Sequence, residues 1–332
     1  MRQFSPSARF VRNLMVLVAC GAAVGCSALN RPPVVVERRV AVTGGDVWCQ
    51  VVGADKPGVP LLVLHGGPGV PHDYLLPLNA LANQRPVIFY DQLGCGNSER
   101  PTDESLWTIE RFVDELDEVR MALKLDRVHI LGHSWGTMLA VEYMLQRRPP
   151  GVISLTLAGP ALSMQRWAAD QRVWMLELPR PIQEAIRSAE SAGTFETLEY
   201  QDAVGVFYAR HVCRVDPWPD YVQRALSPEK MGRQVYFYMN GPSEFTCTGT
   251  IRDYERVDRL REITTPALFI CGRYDEATPA ATEYYHRNMP GSELAVIENA
   301  SHLAWVEQPD EYFRVLRAFL HRSETGPRAG RE

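Results

Sequence analysis

A serine between two glycines is the first chemically informative feature of this sequence. Gly132 and Gly136 flank Ser134 in the pattern Gly-His-Ser-Trp-Gly, after a buried strand predicted over residues 128–131 and directly before a predicted helix. Flanking glycines permit the tight, strained turn that holds a serine hydroxyl at the carboxyl end of a strand. The start of the following helix would stabilise negative charge that develops there. The pattern predicts that Ser134 is a nucleophile; a structural serine in a turn is the alternative.

A serine nucleophile needs a general base and an acid that orients the base, expected here in the chain order Ser, Asp, His. Asp275 follows the strand predicted over residues 267–271, and His302 follows the strand predicted over residues 293–297. Both positions lie just past strand ends, where the active sites of such sheets are built. The other candidates fit less well by chain order or local context: His65, His72, Asp91, His129, His133, His211, His286 and His321.

A glycine-rich loop, His-Gly-Gly-Pro-Gly at residues 65–69, directly follows another predicted strand. Such a loop lets backbone N–H groups approach a substrate oxygen without interference from side chains. We expect the N–H groups of Gly67 and Trp135 to form an oxyanion hole. A phosphate-binding loop is the competing interpretation, but the sequence contains neither GxxxxGK[ST] nor GxGxxG.

The elements that must position these residues alternate between strand and helix signals. Short, nearly continuous apolar runs are typical of strands covered on both faces. The predicted strands cover residues 34–40, 47–52, 60–64, 86–90, 128–131, 152–157, 267–271 and 293–297, the first two as a hairpin. Helical spacing is found over residues 108–125, 138–145, 278–288 and 309–321. This order predicts the α/β fold class, with a mostly parallel, doubly wound sheet.

The alternation is interrupted once. Over residues 162–258 the apolar and aromatic residues follow helical periods separated by Pro-rich turns, which predicts an inserted helical cap. The α/β core would then consist of residues 34–161 and 259–322. Residues 323–332 are polar and are expected to form a flexible tail.

The beginning of the chain resembles an export signal. Three arginines precede an uncharged run over residues 14–25, which is too short to span a bilayer but is typical of the apolar part of a signal peptide. The run ends in Ala-Val-Gly-Cys, which resembles the lipidation site of a bacterial lipoprotein. We expect residues 1–25 to be a signal, Cys26 to be lipidated and residues 26–33 to be a tether, so that the protein is exported and anchored to a bacterial membrane. Lipidation at Cys20, an unlipidated signal peptide and an uncleaved amphiphilic tail are the alternatives.

The composition of the chain excludes several other classes of protein. The chain has 332 residues, of which 45% are hydrophobic and 23% charged, with a formal net charge of −5. Wholesale disorder and a multi-span membrane protein are excluded, and there is no basic excess for nucleic acid. None of the cysteines has the spacing of a zinc site, and no metal or organic cofactor is implied. Cys213 and Cys247 could form a disulfide, which the sequence leaves open.

Several motifs together resemble the proline iminopeptidase family of α/β-hydrolases. They are HGGPG at 65–69, DQLGCGNSERP at 91–101, GHSWGTMLA at 132–140, GRYDEATP at 272–279 and NASHLAWVEQP at 299–309. The resemblance implies an exopeptidase with a helical cap over the Ser-His-Asp triad. It also implies that Glu244 and Glu276, which match the family's motif context, bind the free α-amine; helix capping by Glu244 and a solvated Glu276 are the alternatives.

The expected activity is therefore release of an N-terminal residue, often proline, through an acyl-enzyme. The expected substrate is a short peptide or amino-acid amide with a free N-terminus. A hydrolase of amino-acid amides, esters or lactones is the second interpretation, and a non-catalytic surface lipoprotein is the third.

Overall fold

The computed structural model describes residues 32 to 325, and this part of the chain contains one eight-stranded sheet. The strands are β1 (Val35–Val42), β2 (Gly45–Val52), β3 (Leu61–Leu64), β4 (Val87–Asp91), β5 (Val128–His133), β6 (Val152–Ala158), β7 (Ala267–Gly272) and β8 (Glu293–Ile297). Their order is β1-β2-β4-β3-β5-β6-β7-β8. β1 and β2 form an antiparallel hairpin, β2 also pairs antiparallel with β4, and the later pairs are parallel. The predicted mostly parallel sheet and its opening hairpin are confirmed.

Helices cover both faces of this sheet. The α-helices are α1 (Ile109–Ala122), α2 (Trp135–Arg147), α3 (Met164–Leu176), α4 (Arg180–Ala192), α5 (Leu198–His211), α6 (Asp220–Ala225), α7 (Arg233–Met239), α8 (Pro279–Arg287), α9 (Ala304–Glu307) and α10 (Pro309–Thr325). Leu62 of β3 belongs to the same apolar cluster as Phe112 of α1, whereas its neighbour Leu61 shares a cluster with Leu316 of α10. Since successive strand side chains point to opposite faces, the sheet is buried on both sides, and the doubly wound class is confirmed.

The five helices α3 to α7 lie between β6 and β7, within the stretch assigned above to a helical cap. Helices α3 to α5 share an apolar cluster of their own, which includes Met175, Ile186 and Phe207. The later part of the insertion is hydrogen-bonded to the core: the N–H of Gly232 donates to the carbonyl oxygen of Gly69 over 2.8 Å. The cap therefore has a core of its own and also contacts the glycine-rich loop.

The last helix is longer than the sequence predicts. It was expected to end at residue 321, but α10 continues to Thr325. Glu324 explains the difference, because its Oε1 accepts a hydrogen bond from Nη1 of Arg85 over 2.6 Å and lies 3.0 Å from Nε2 of His129. The prediction of a flexible tail from residue 323 is therefore wrong for its first three residues, and the rest of that tail lies outside the described residues.

Three short 3₁₀ helices, His72–Leu81, Glu104–Leu106 and Val257–Glu262, were not predicted. The first contains Pro77 and follows Pro71, and prolines in the sequence argue against a helix. Cys213 and Cys247 are free thiols, so the possible disulfide does not form.

The predicted signal, Cys20 and Cys26 lie outside the described residues. Between residues 32 and 325, no helix is both long enough and apolar enough to cross a membrane.

Candidate active site

Ser134 lies in a sharp turn between β5 and α2, and its backbone is in an uncommon conformation with φ 55° and ψ −122°. The flanking glycines are needed there. A Cβ atom on Gly132 would collide with the carbonyl oxygen of Gly136, and one on Gly136 would collide with that of Leu64. The turn therefore stores strain and presents the Ser134 side chain at the carboxyl end of a central strand.

The expected oxyanion donors lie on either side of Ser134. Trp135 is the first residue of α2, and Gly67, with φ 111°, lies in the loop after β3. In the described part of the chain, neither backbone N–H has a protein acceptor. The loop is fixed by Tyr74, whose hydroxyl accepts a hydrogen bond from the N–H of Gly66 over 2.7 Å. Two free donors, one at a helix start and one in the glycine-rich loop, can stabilise a developing oxyanion.

His302 and Asp275 form a buried hydrogen-bonded pair. Nδ1 of His302 lies 2.7 Å from Oδ1 of Asp275. The carboxylate of Asp275 also accepts hydrogen bonds from the N–H groups of Ala277 over 2.7 Å and Gly272 over 3.3 Å. These bonds fix the carboxylate, which in turn leaves Nε2 of His302 as the ring nitrogen that is available for proton transfer.

Ser134 and His302 line the same cavity, together with Gly67. Among the described residues no hydrogen bond joins the Ser134 hydroxyl to the His302 ring. Nε2 of His302 instead lies 3.6 Å from Oε1 of Glu276. Catalytic hydrogen bonds are often long without substrate and shorten in the substrate complex, so the arrangement is compatible with a serine-histidine pair.

Both predicted amine-binding glutamates line this cavity. Glu276 is only 2% exposed, and its Oε2 has no hydrogen-bond partner in the described part of the chain. Glu244 accepts a hydrogen bond from the hydroxyl of Tyr236 over 2.6 Å. The two alternatives for these residues are thereby corrected: Glu276 is not solvated, and Glu244 caps no helix, since it lies between α7 and the 3₁₀ helix at residues 257–262.

The environment of the two carboxylates favours their neutral forms. Burial raises the pKa of Glu244, although the Tyr236 hydroxyl and His302 oppose this effect. Burial, followed by the nearby charges of Glu244 and Asp275, raises the pKa of Glu276 well above its ordinary value. Among residues 32 to 325, no Lys or Arg side chain lines the cavity. Binding of a cationic group would lower the free energy of this site, because it would offset the desolvation of the two carboxylates.

The sequence gives no indication of the groups that hold the Asp275–Glu276 loop in place. The carbonyl oxygen of His211, at the end of α5, accepts from the N–H groups of both Glu276 and His302 over 3.2 Å. From α3, Nε1 of Trp174 donates to the carbonyl oxygen of Asp275 over 3.1 Å, and Nε2 of Gln171 donates to that of Glu276 over 2.9 Å. The cap therefore positions the acid and base loops, through residues about a hundred positions away in α3.

The remaining buried histidines near the site have structural roles. Burial lowers the pKa of His65 to about 4 and that of His133 well below its ordinary value. Nε2 of His65 accepts from the N–H of Gln92 over 2.9 Å, and His133 packs on the ring of His302. Asp91 pairs with Nδ1 of His72 over 2.7 Å. Each of these four residues therefore has a structural contact of its own outside the pair formed by His302 and Asp275.

Comparison with known proteins agrees with this geometry. Residues 59–309 match a family model described as the α/β-hydrolase fold. The chain is 45% identical over 285 residues to the proline iminopeptidase of Heyndrickxia coagulans, covering 86% of this chain and 98% of that protein. The chain belongs to the proline iminopeptidase family.

Other members of the proline iminopeptidase family give the same result. The enzyme of Saccharolobus solfataricus is 40% identical over 263 residues, with 78% of this chain and 84% of that protein covered. The crystal structure of the Mycobacterium smegmatis proline iminopeptidase superposes with a TM-score of 0.80 at 37% identity, over 87% of this chain and 99% of that one. The predicted family, the α/β-hydrolase fold and the assignment as an enzyme of the hydrolase class are confirmed.

Proposed function

We propose that this protein releases N-terminal proline from short peptides and requires the free amine of that residue. One observation carries the proposal: two buried carboxylates, Glu244 and Glu276, line the cavity that also contains Ser134 and His302. A secondary ammonium group placed between them would relieve the desolvation of both carboxylates. The carbonyl group next to that ammonium would then lie at Ser134, so only the first peptide bond would be cut.

The reaction that fits these residues is acyl transfer. Nε2 of His302 takes the proton of the Ser134 hydroxyl while Oγ attacks the carbonyl carbon of the first residue. The oxyanion accepts hydrogen bonds from the N–H groups of Gly67 and Trp135. Asp275 stabilises the imidazolium, which then donates its proton to the leaving amine. Water, deprotonated by His302, hydrolyses the ester and restores the hydroxyl of Ser134.

A matched pair of substrates tests the requirement for an amine. We expect prolinamide to be hydrolysed, and kcat/KM for N-acetylprolinamide to be at least about a hundredfold lower, because acetylation removes the cation that both glutamates would bind. Glu244→Gln should raise KM for prolinamide about tenfold or more, the value of one charged hydrogen bond. Glu196→Gln, on the exposed surface of the insertion, is the control and should leave KM unchanged.

Equal turnover of the free and acetylated substrates would contradict the aminopeptidase proposal. In that case the triad would belong to a general amide or ester hydrolase, which a screen of alanyl amides and simple esters would identify.

We also propose that the protein is exported and lipid-anchored through Cys26. The support is the uncharged run over residues 14–25 and the Ala-Val-Gly-Cys that ends it. Expression in a bacterium should give a membrane-bound protein whose processing is blocked by globomycin. Cys26→Ser should abolish acylation and Cys20→Ser should not; the reverse result would move the anchor to Cys20, and a wild-type protein that is recovered soluble and whose processing globomycin does not affect would exclude it.

A further inference from the structure

The loop that carries His302 is followed by a single helical turn, α9, which ends at Glu307. This turn brings the carboxylate of Glu307 back to the loop. Its Oε2 accepts a hydrogen bond from the N–H of Ser301 over 2.9 Å, and its Oε1 accepts one from the hydroxyl of Ser301. Ser301 is fully buried and directly precedes His302. One side chain therefore holds both donors of the residue next to the histidine.

The same carboxylate is also bound to the cap. Oε1 of Glu307 accepts a third hydrogen bond, from the backbone N–H of Arg214, over 2.9 Å. Arg214 lies between α5 and α6, 93 positions away in the chain. Hydrogen bonds to an ionised acceptor are about twice as strong as those between neutral groups. Glu307 therefore joins the loop that carries His302 to the helical cap.

Backbone hydrogen bonds run beside this side-chain contact. The N–H of His302 donates to the carbonyl oxygen of His211 over 3.2 Å, and the N–H of Leu303 donates to that of Val212 over 3.0 Å. A substitution at Glu307 can remove the side-chain contact and leave these backbone bonds in place. The contribution of Glu307 can therefore be measured separately.

The cap residue that Glu307 holds also contacts the loop of the acid. The guanidinium carbon of Arg214 lies 4.1 Å from the centre of the Tyr274 ring, a cation–π contact. Tyr274 directly precedes Asp275. Arg214 therefore contacts the base loop through its N–H and the acid loop through its guanidinium. Since Nδ1 of His302 must stay within hydrogen-bond distance of Asp275, a shared partner for the two loops preserves that pair.

The contacts of Glu307 differ from those of a carboxylate that only stabilises its own helix. Among residues 32 to 325, its three hydrogen-bond donors come from the loop and from the cap, and none comes from α9. Burial raises the pKa of Glu307, and the hydrogen bonds from Ser301 and Arg214 oppose that rise. The carboxylate is therefore partly desolvated in order to join two separate parts of the chain.

We propose that Glu307 is a positioning residue for His302: it holds the histidine loop against the cap, so that the imidazole stays aligned with both Asp275 and Ser134. Glu307 acts through Ser301 and Arg214 and not on the reacting atoms. Any acyl transfer at Ser134 would need this alignment, so the proposal goes beyond the proposed function and does not depend on the choice of substrate.

Glu307→Gln tests the proposal with little change in side-chain shape. The variant replaces one oxygen by an NH₂ group, which cannot accept a hydrogen bond. It can therefore accept from the N–H of Ser301 or from that of Arg214, but not from both. We expect kcat for prolinamide to fall about tenfold and KM to change less than about twofold, because misalignment of the base affects the chemical step more than binding.

Two further measurements need no peptide substrate. Phenylmethylsulfonyl fluoride forms a sulfonyl ester on Ser134 and releases fluoride, and this reaction should slow about tenfold in Glu307→Gln. The total fluoride released counts the reactive sites, so the rate refers to folded protein only. The Nδ1 proton of His302, hydrogen-bonded to Asp275, should give a far-downfield proton NMR signal that is absent in His302→Ala. We expect this signal to broaden or shift in Glu307→Gln.

A control and a milder variant accompany this substitution. Glu311→Gln changes an exposed carboxylate of α10 that pairs with Arg314, and it should alter neither rate nor the NMR signal. Ser301→Ala keeps the carboxylate of Glu307 and removes one of its three donors. We expect this variant to slow sulfonylation about two- to fivefold.

An unchanged sulfonylation rate and NMR signal in Glu307→Gln, with only a lower melting temperature, would overturn the proposal and make Glu307 a purely structural residue. If Glu307→Gln does not fold, Ser301→Ala decides, and an unchanged rate in that variant would overturn the proposal as well. Failure of the wild-type protein to hydrolyse prolinamide would contradict the proposed function alone, because the sulfonylation and NMR measurements are independent of it.

Discussion

At the scale of single residues, the most consequential feature is a pair of buried carboxylates that share a cavity in which, among the described residues, there is no Lys or Arg side chain. Glu276 is buried, and no group among residues 32 to 325 forms a hydrogen bond with its Oε2. Glu244 lines the same cavity and has one strong hydrogen bond, from Tyr236. Such an arrangement is unfavourable for folding, and it is useful only if a ligand supplies the missing charge. Binding sites commonly reduce stability in this way.

Glu276→Gln should therefore stabilise the free protein in a pH-dependent manner. The pKa of Glu276 is higher in the folded state than in the unfolded chain. As pH rises, the unfolded chain loses this proton first, and the free energy of unfolding therefore decreases. We expect the melting temperature of the variant to exceed that of the wild type by about 2 °C or more at pH 8, and the difference to shrink towards pH 4.

Thermal unfolding followed by circular dichroism at several pH values measures this difference. Glu196→Gln, an exposed carboxylate of the insertion, should show no comparable trend. A difference for Glu276→Gln that is constant, or that grows as pH falls, would show that its desolvation is not the dominant effect.

At the scale of elements, the acid and base of the site are held by the cap as well as by their own strands. Asp275 follows β7 and His302 follows β8, yet the loops are joined through the carbonyl oxygen of His211 at the end of α5. Trp174 of α3 adds a hydrogen bond to the backbone of Asp275. The insertion is therefore part of the catalytic support and not only a cover over the cavity.

Trp174→Phe should lower kcat for prolinamide about three- to tenfold with little change in KM, because it removes the hydrogen bond to the Asp275 carbonyl while keeping an aromatic ring. The rate at which phenylmethylsulfonyl fluoride sulfonylates Ser134, with release of fluoride, should fall by a similar factor, since that reagent needs the triad but no amine site. Trp48→Phe removes an indole hydrogen bond to Glu37 at the sheet edge and should change neither rate. A loss confined to KM would argue against a positioning role.

At the scale of the whole molecule, the cap and core are joined by close backbone contacts at the glycine-rich loop. The N–H of Gly232 donates to the carbonyl oxygen of Gly69, and the N–H of Gly96 donates to that of Lys230, both over 2.8 Å. A Cβ on Gly232 would lie 2.5 Å from the carbonyl oxygen of Gly94. The cap therefore contacts the loop that carries Gly67. A displacement of the cap would also move this loop and its oxyanion donor.

Gly232→Ala should reduce both the melting temperature and kcat, because the added methyl group must push the cap away from the core. The control is Gly205→Ala in α5, where a Cβ meets nothing within 4 Å and an alanine should raise helix stability by about 0.5–1 kcal/mol. Thermal unfolding and prolinamide kinetics on both variants check the pair of outcomes. An unchanged kcat in Gly232→Ala would show that the contact between cap and loop does not support the site.

Much of the site was predictable because its signals are local. The glycine at Gly132 is required by a contact within the turn, with the carbonyl oxygen of Gly136, whereas the glycine at Gly136 is required by the close approach of Leu64 in the neighbouring strand. The candidate acid and base could be chosen because each follows a strand that a short apolar run in the sequence predicts. In a parallel sheet the carboxyl ends of neighbouring strands share one edge, so such loops are expected to meet. The helical insertion was also visible as a change of hydrophobic period.

Other features were decided only by tertiary structure. Three features depend on residues far apart in the chain: the joining of two loops by His211, the extension of α10 through Glu324, and the lining of the cavity by Val222 of α6 together with Ser134. Sequence spacing describes only the near neighbours of each residue along one element. Which distant groups meet is decided by how the cap packs on the sheet, and that packing is the sum of many contacts, none of which has a signature of its own. The sequence by itself determined which reactive side chains the site contains, and tertiary packing decided which distant groups hold and surround them.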